Sequence, residues 1–159
     1  MNSTGPKKIL LIGYGNVGKS DDGLGPALAE EISRQNFEGV AVESNYLLTV
    51  EDASKVAEYD VAIFADASVK GDEPFTFKPI LSAQTVQTFS SHSIDPAIVL
   101  GLARDLFKAK TKGYVLVIRG YEFDEFGEQL SSRAQDNLLE AEAFLSRLLA
   151  TKEFDLYDR

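Results

Sequence analysis

Apolar residues recur along this chain in two rhythms. Lys8–Gly13, Val61–Ala65 and Tyr114–Arg119 are short, nearly unbroken apolar runs rich in Ile, Val and Leu. Such runs read as strands buried on both faces. Gly39 to Val42 opens another strand. Between these runs the spacing lengthens to the helical period. Ala27–Gln35 carries Leu28 and Ile32 on one face, and Pro26 before it suits a first helical turn, so the helix is expected to start at Gly25 or Pro26. Thr49 to Tyr59 reads as a short helix, with Thr49 and Asp52 spaced as a capping box. Asp95-Pro96 opens a long helix through Ile98, Leu102, Leu106 and Phe107. Ser132 and Gln135 form a second capping box, for a last helix running to about Leu149. Pro74–Ile80 alternates Phe75, Phe77 and Pro79 with polar residues, and its prolines confine it to an edge or antiparallel position. The polar tail after Thr151 is expected to fray.

Strands alternating with helices predict an α/β three-layer sandwich: a twisted, mostly parallel sheet of about five strands with helices on both faces. No repeat, linker or low-complexity stretch divides the 159 residues, so residues 1–159 read as a single domain.

Composition narrows the chemistry. There is no cysteine, which excludes disulfides, thiolate metal sites and a cysteine nucleophile. The net charge of −9 argues against a nucleic-acid groove and against anionic lipid; it reads first as a solvated acidic surface and only formally as favouring a basic or metal-bearing partner. No apolar run approaches the ~20 residues of a membrane span. The run near the N-terminus reads as a first strand rather than a signal peptide, so the expected compartment is the cytoplasm.

Ligands of open α/β sheets gather beyond the carboxyl ends of the strands. The loops there hold Asn16, Asp21, Asp22, Asp66 and His92. Gly13–Ser20, GYGNVGKS, matches the phosphate-loop pattern and follows a strand, which makes a nucleotide-binding NTPase using Lys19 and Ser20 one reading. The run Asp21-Asp22-Gly23-Leu24-Gly25-Pro26 speaks against it, because glycines and proline disfavour a helix starting at Lys19-Ser20. Gly13, Gly15 and Gly18 also fit the dinucleotide pattern, a weak signal alone.

Asp21 and Asp22, each taken alone, read as solvated acids of an Asp-Gly turn. Asp66 ends a buried strand, where a carboxylate costs free energy unless it is paired, hydrogen-bonded or metal-bound. His92 is the only histidine and stands just before the long helix. Two carboxylates and an imidazole can hold a divalent ion facially, an oxygen-rich set suited to Ni, Zn, Mn or Fe. The same trio can act as general base and acid on a water without a permanent metal.

The stretch ILLIGYGNVGKSDDGLGPALAEEI resembles the opening of hydrogenase maturation endopeptidases: a strand, a Gly-x-Gly-Asn turn, an acidic pair, then Gly-x-Gly and a helix. VAIFADAS resembles their third strand, SSHSIDPAIVLGLARDLF their histidine segment and following helix, and VLVIRGYEFDEFGEQLSSRAQDNLLEAEAFLSRLL their last strand and helix. The resemblance implies a cytoplasmic, monomeric peptidase that cuts the C-terminal extension from the large-subunit precursor of a nickel-iron hydrogenase after nickel insertion. It carries catalytic and metal-contacting roles onto Asp22, Asp66 and His92. Nickel is then presented by the substrate, with another divalent metal as the alternative, and the hydrolysis is described as either metal-assisted or aspartate-type. Gly18 and Asp22 depart from the apolar residue and the Glu common in that family. Asn16 would either donate to a developing oxyanion or brace its turn, the second being preferred. Tyr121–Glu128 reads as a solvated loop or a substrate lip. A non-catalytic assembly chaperone for the same precursor is the remaining alternative.

Overall fold

The computed structural model describes residues 7–81 and 94–158. The chain folds as β1 (Ile9–Tyr14), a 3-10 turn (Ser20–Gly23), α1 (Leu24–Gln35), β2 (Val40–Asn45), α2 (Asp52–Val56), β3 (Val61–Ser68), β4 (Phe75–Pro79), α3 (Pro96–Phe107), β5 (Lys112–Arg119), α4 (Ser132–Thr151) and a final 3-10 turn (Phe154–Tyr157). The sheet order is β2-β1-β3-β5-β4. Every neighbour pair is parallel except β4 with β5, which is antiparallel at the edge as its prolines require.

The strict period of two divides each buried strand between two cores. Ile9, Leu11, Ile63, Leu116 and Ile118 pack under α1 and α4. Leu10, Ile12, Ala62, Phe64 and Val115 pack under α2 and α3. The three-layer reading of the apolar runs therefore holds.

Four local expectations are corrected. The α-helix starts at Leu24, ahead of Pro26, and a 3-10 turn already runs from Ser20. Pro26 sits in the first helical turn, where its missing N–H would have had no partner anyway. The cap of α4 is Ser131, not Ser132: its side chain accepts from the Ala134 amide, one residue earlier in register. The buried stripe of α3 is Val99, Leu100 and Ala103, while Ile98, Leu106 and Phe107 are exposed.

The tail, finally, is anchored rather than frayed. Phe154 is buried against Tyr114, Tyr157 meets Phe77 and Phe144 edge-on, and Phe77 stacks on Tyr114 at 5.1 Å. The Tyr114 hydroxyl donates to Asp158 at 2.6 Å, and burial with that bond pushes its pKa up. Truncating this plug is expected to cost on the scale of a core aromatic. Phe154→Ala should lower the unfolding free energy by about 3–5 kcal/mol, read as a lower urea midpoint.

Candidate functional site

The site lies where β1 and β3 run out, because the chain must leave the sheet there and return through α1. Two glycines make that return possible. Gly15 has φ near +147°, and a Cβ on it would strike the Asp22 carbonyl. Gly25 lies against the Ala65 and Tyr14 carbonyls, so α1 begins in backbone contact with both strands. This close approach brings the Ser20–Gly23 turn against β3.

Asp22 is 9% exposed. Its Oδ2 accepts from the Asn16 amide at 2.8 Å, while Oδ1 is buried without a hydrogen-bond partner among the described residues. Burial pushes its pKa up, opposed by the Asn16 amide and the Lys19 charge. Asp66 is fully buried and lies within β3 rather than at its end, opposite Val117 of β5. Its Oδ1 accepts from the amide of Ala67 at 2.7 Å. Alternation from Ala62 and Phe64 turns it toward the layer of α2 and α3. His92 lies outside the described residues. Among the described residues no group of three His, Cys, Asp or Glu side chains is arranged to hold an ion.

Asn16 behaves as the turn brace: its Oδ1 accepts from the Gly18 amide at 2.9 Å, and its Nδ2 reaches the Tyr46 hydroxyl at 3.4 Å. Asp21 corrects the expectation of a solvated acid. It is 0% exposed and accepts four hydrogen bonds, from the amides of Tyr121 (2.8 Å), Glu122 (3.0 Å) and Ser131 (2.8 Å) and from Ser131 Oγ (2.7 Å). Desolvation raises its pKa, but these donors outweigh it and leave the carboxyl below its ordinary value. Asp21 thus ties the catalytic-loop candidate to the cap of α4. Side-chain pattern alone gave no signal of this, since three of the four donors are backbone.

The Tyr121–Glu128 segment is exposed along most of its length, as a solvated loop would be, but it is tied down. It is stitched to the Gly18–Ser20 segment: Ser20 N donates to Gly127 O (2.7 Å), Gly127 N to Gly18 O (2.8 Å), and Ser20 Oγ to Glu125 O (3.2 Å). Phe123 is buried, and Phe126, 87% exposed, stands beside the Lys19 ammonium.

The same contacts decide the phosphate-loop question. A phosphate loop works by aiming unspent backbone amides at its ligand. Here the amides of Gly15, Asn16, Gly18, Lys19, Ser20, Asp21 and Asp22 all donate within the protein, to Asn45, Asp22, Asn16, Asn16, Gly127, Glu122 and Lys19 respectively. Titration calorimetry with ATP or GTP and magnesium should therefore give no binding heat at millimolar nucleotide, and Lys19→Ala should leave the trace unchanged. Micromolar affinity lost in Lys19→Ala would contradict this reading.

No protein-family model matches the sequence, and comparison with curated proteins finds no match. Comparison of structures does find relatives in fold. The hydrogenase maturating endopeptidase HybD from E. coli superposes with a TM-score of 0.75 at 18% identity, over 92% of this chain and 94% of that one. The [NiFe] hydrogenase maturation protease HycI from Thermococcus kodakarensis KOD1 gives 0.72 at 18% identity, over 92% and 95%. An uncharacterized protein from Wolinella succinogenes gives 0.62 at 22% identity, over 93% and 100%. At these identities the likeness is one of fold, and it spans 92–93% of the chain.

Proposed function

We propose that this chain is an endopeptidase that removes the C-terminal extension of a nickel-iron hydrogenase large-subunit precursor once nickel has been inserted. The observation that carries the proposal is two buried carboxylates, Asp22 in the turn that follows β1 and Asp66 in the last half of the adjacent strand β3, in a fold that matches maturation proteases over 92% of the chain. Asp22 supplies the telling detail. A buried carboxylate oxygen facing no N–H donor is costly for a structural residue, but it is a ready ligand for a cation. The neighbouring Asp21 has the opposite character, with its lone pairs taken by donors.

In this reading Asp22, Asp66 and His92 contact the nickel that the precursor carries, an oxygen–oxygen–nitrogen set that suits it; another divalent ion would fit the same donors. A water beside the metal attacks the scissile carbonyl. Its proton passes to the Asp66 carboxylate as the C–O bond forms, and then to the departing amide nitrogen as the C–N bond breaks. The chain acts as a monomer in the cytoplasm; among the described residues no helix is long and apolar enough to cross a membrane. Spent loop amides disfavour the NTPase alternative, and a buried bare carboxylate is unexpected in a chaperone that only grips.

The test is a processing assay. Purified chain is mixed with the precursor, nickel-loaded or nickel-free, and both are resolved on gels. The nickel-loaded form alone should shorten. Survival of the nickel-loaded precursor at full length would defeat the proposal.

A further inference from the structure

Strand β2 stands at an open edge of the sheet, paired only with β1 among the described residues. Its residues are partly exposed along its whole length, whereas β1 is buried throughout. Beside it runs a groove of about 530 Å³, lined by Val42 and Ser44 of β2, Glu30 and Ser33 of α1, and Val17 and Gly23 of the loop that carries Asp22. Among the described residues, the charged side chains in its lining are Glu30 and a second acid, Glu128.

We propose that this edge and its groove dock an extended, basic segment of the precursor and lead it to Asp22; the inference rests on the proteolytic reading above. Three observations support it. The first is strand geometry. Val42 and Ser44 are two residues apart and share the α1 face, so a strand added along β2 would place every second side chain in the groove beside them. Main-chain hydrogen bonds to the edge would supply affinity, and the groove would supply choice of side chain. The second is charge. The lining carries two carboxylates and no basic residue. Glu30 is 3.6 Å from Arg34 just outside the lining, an exposed pair worth little, which leaves Glu128 as the main attraction for Lys or Arg in the occupant. The acid of β2 itself, Glu43, is engaged by Lys55 and so does not compete. The third is continuity. The groove reaches Val17 and Gly23, the latter adjacent in sequence to Asp22, so a backbone laid along β2 ends beside the loop that carries that carboxylate.

The experiment uses the full chain and the nickel-loaded precursor. Glu30 and Ser33 are both exposed, so Glu30→Lys and Ser33→Arg should leave the fold intact while opposing and filling the groove. KM for the precursor should rise at least tenfold in each, with kcat unchanged. In parallel, hydrogen exchange is followed in Asp22→Asn, which holds precursor without cutting it. Amides within Val40–Asn45 should exchange at least tenfold more slowly when the precursor is added. Wild-type KM in both variants, or unchanged exchange at saturating precursor, overturns the docking proposal while wild-type cleavage leaves the peptidase reading standing. Wild-type chain that cuts nothing would instead defeat that reading. Protection of β2 in the chain alone, with a dimer in sedimentation, would assign the edge to a second copy and also overturn the proposal.

Discussion

Asp22→Asn and Asp66→Asn should each abolish processing of the nickel-loaded precursor, lowering kcat/KM by a factor of 10³ or more, the scale of removing a group that acts only on the reacting atoms. Both substitutions keep shape and remove charge, and both positions are buried, so the chemistry is lost without a cavity. The two should not read out as folding defects. Asp22 is held with one oxygen bare and its pKa raised by burial. A carboxyl whose folded pKa lies above its unfolded value favours folding when protonated, and that advantage is lost as pH rises through the folded value. At neutral pH the charged Asp22 therefore destabilises the fold. Asp22→Asn should raise Tm by about 2–4 °C at pH 7, the shift expected for roughly 1 kcal/mol in a domain of this size, and the gain should vanish in acid. A processing-dead variant that is also more heat-stable would separate a site from a scaffold. His92→Ala is expected to lose processing too, and wild-type rates in any of the three would contradict the assignment.

The second large effect is on stability, at the adjacent residue. Asp21→Ala should cost on the order of 3 kcal/mol, because the amides of Tyr121, Glu122 and Ser131 and the Ser131 hydroxyl all lose their acceptor at a fully buried position. The sign of its pH dependence is opposite to that of Asp22. Its folded pKa lies below the ordinary 3.8, so its contribution is fully present above that value and is lost as pH falls through the lower folded one. Urea midpoints of wild type and Asp21→Ala should thus differ most above about pH 5, begin to draw together as pH falls through 3.8, and approach each other only below the lower folded value. A pH-independent difference would mean that the carboxylate charge is not what holds the loops.

The contrast within Asp21-Asp22 explains what the sequence could and could not reveal. The strands were legible because parallel strands covered on both faces must be nearly continuous apolar runs, as Val61–Ala65 and Tyr114–Arg119 are. The rule that such sheets gather ligand loops at their carboxyl ends singled out Asp22 and Asp66 as candidates; the structure buries both, Asp66 within β3 rather than in the loop beyond it. The division of labour between the two acids was not legible. Asp21 is fixed by backbone amides a hundred residues away, and backbone donors leave no mark on side-chain pattern. The phosphate-loop match could be set aside only on the helix-breaking run after Ser20, since a motif does not encode where its amides point. The anchored tail was hidden because the partners of Phe154 and Tyr157, among them Phe77 and Tyr114, lie far off in sequence. The offset buried stripe of α3 reflects competition among too many apolar positions: Ile98, Leu102 and Leu106 fit the helical period as well as Val99, Leu100 and Ala103 do.

The central claim is that Asp22, Asp66 and His92 act together on a metal that belongs to the substrate. Nickel K-edge X-ray absorption on the precursor, before and after addition of Asp22→Asn or wild-type chain under conditions that trap the complex, tests it most directly. The account predicts added oxygen and nitrogen ligands on nickel with wild-type chain, fewer with Asp22→Asn, and a lost imidazole contribution with His92→Ala. A nickel spectrum identical with and without the chain would contradict it.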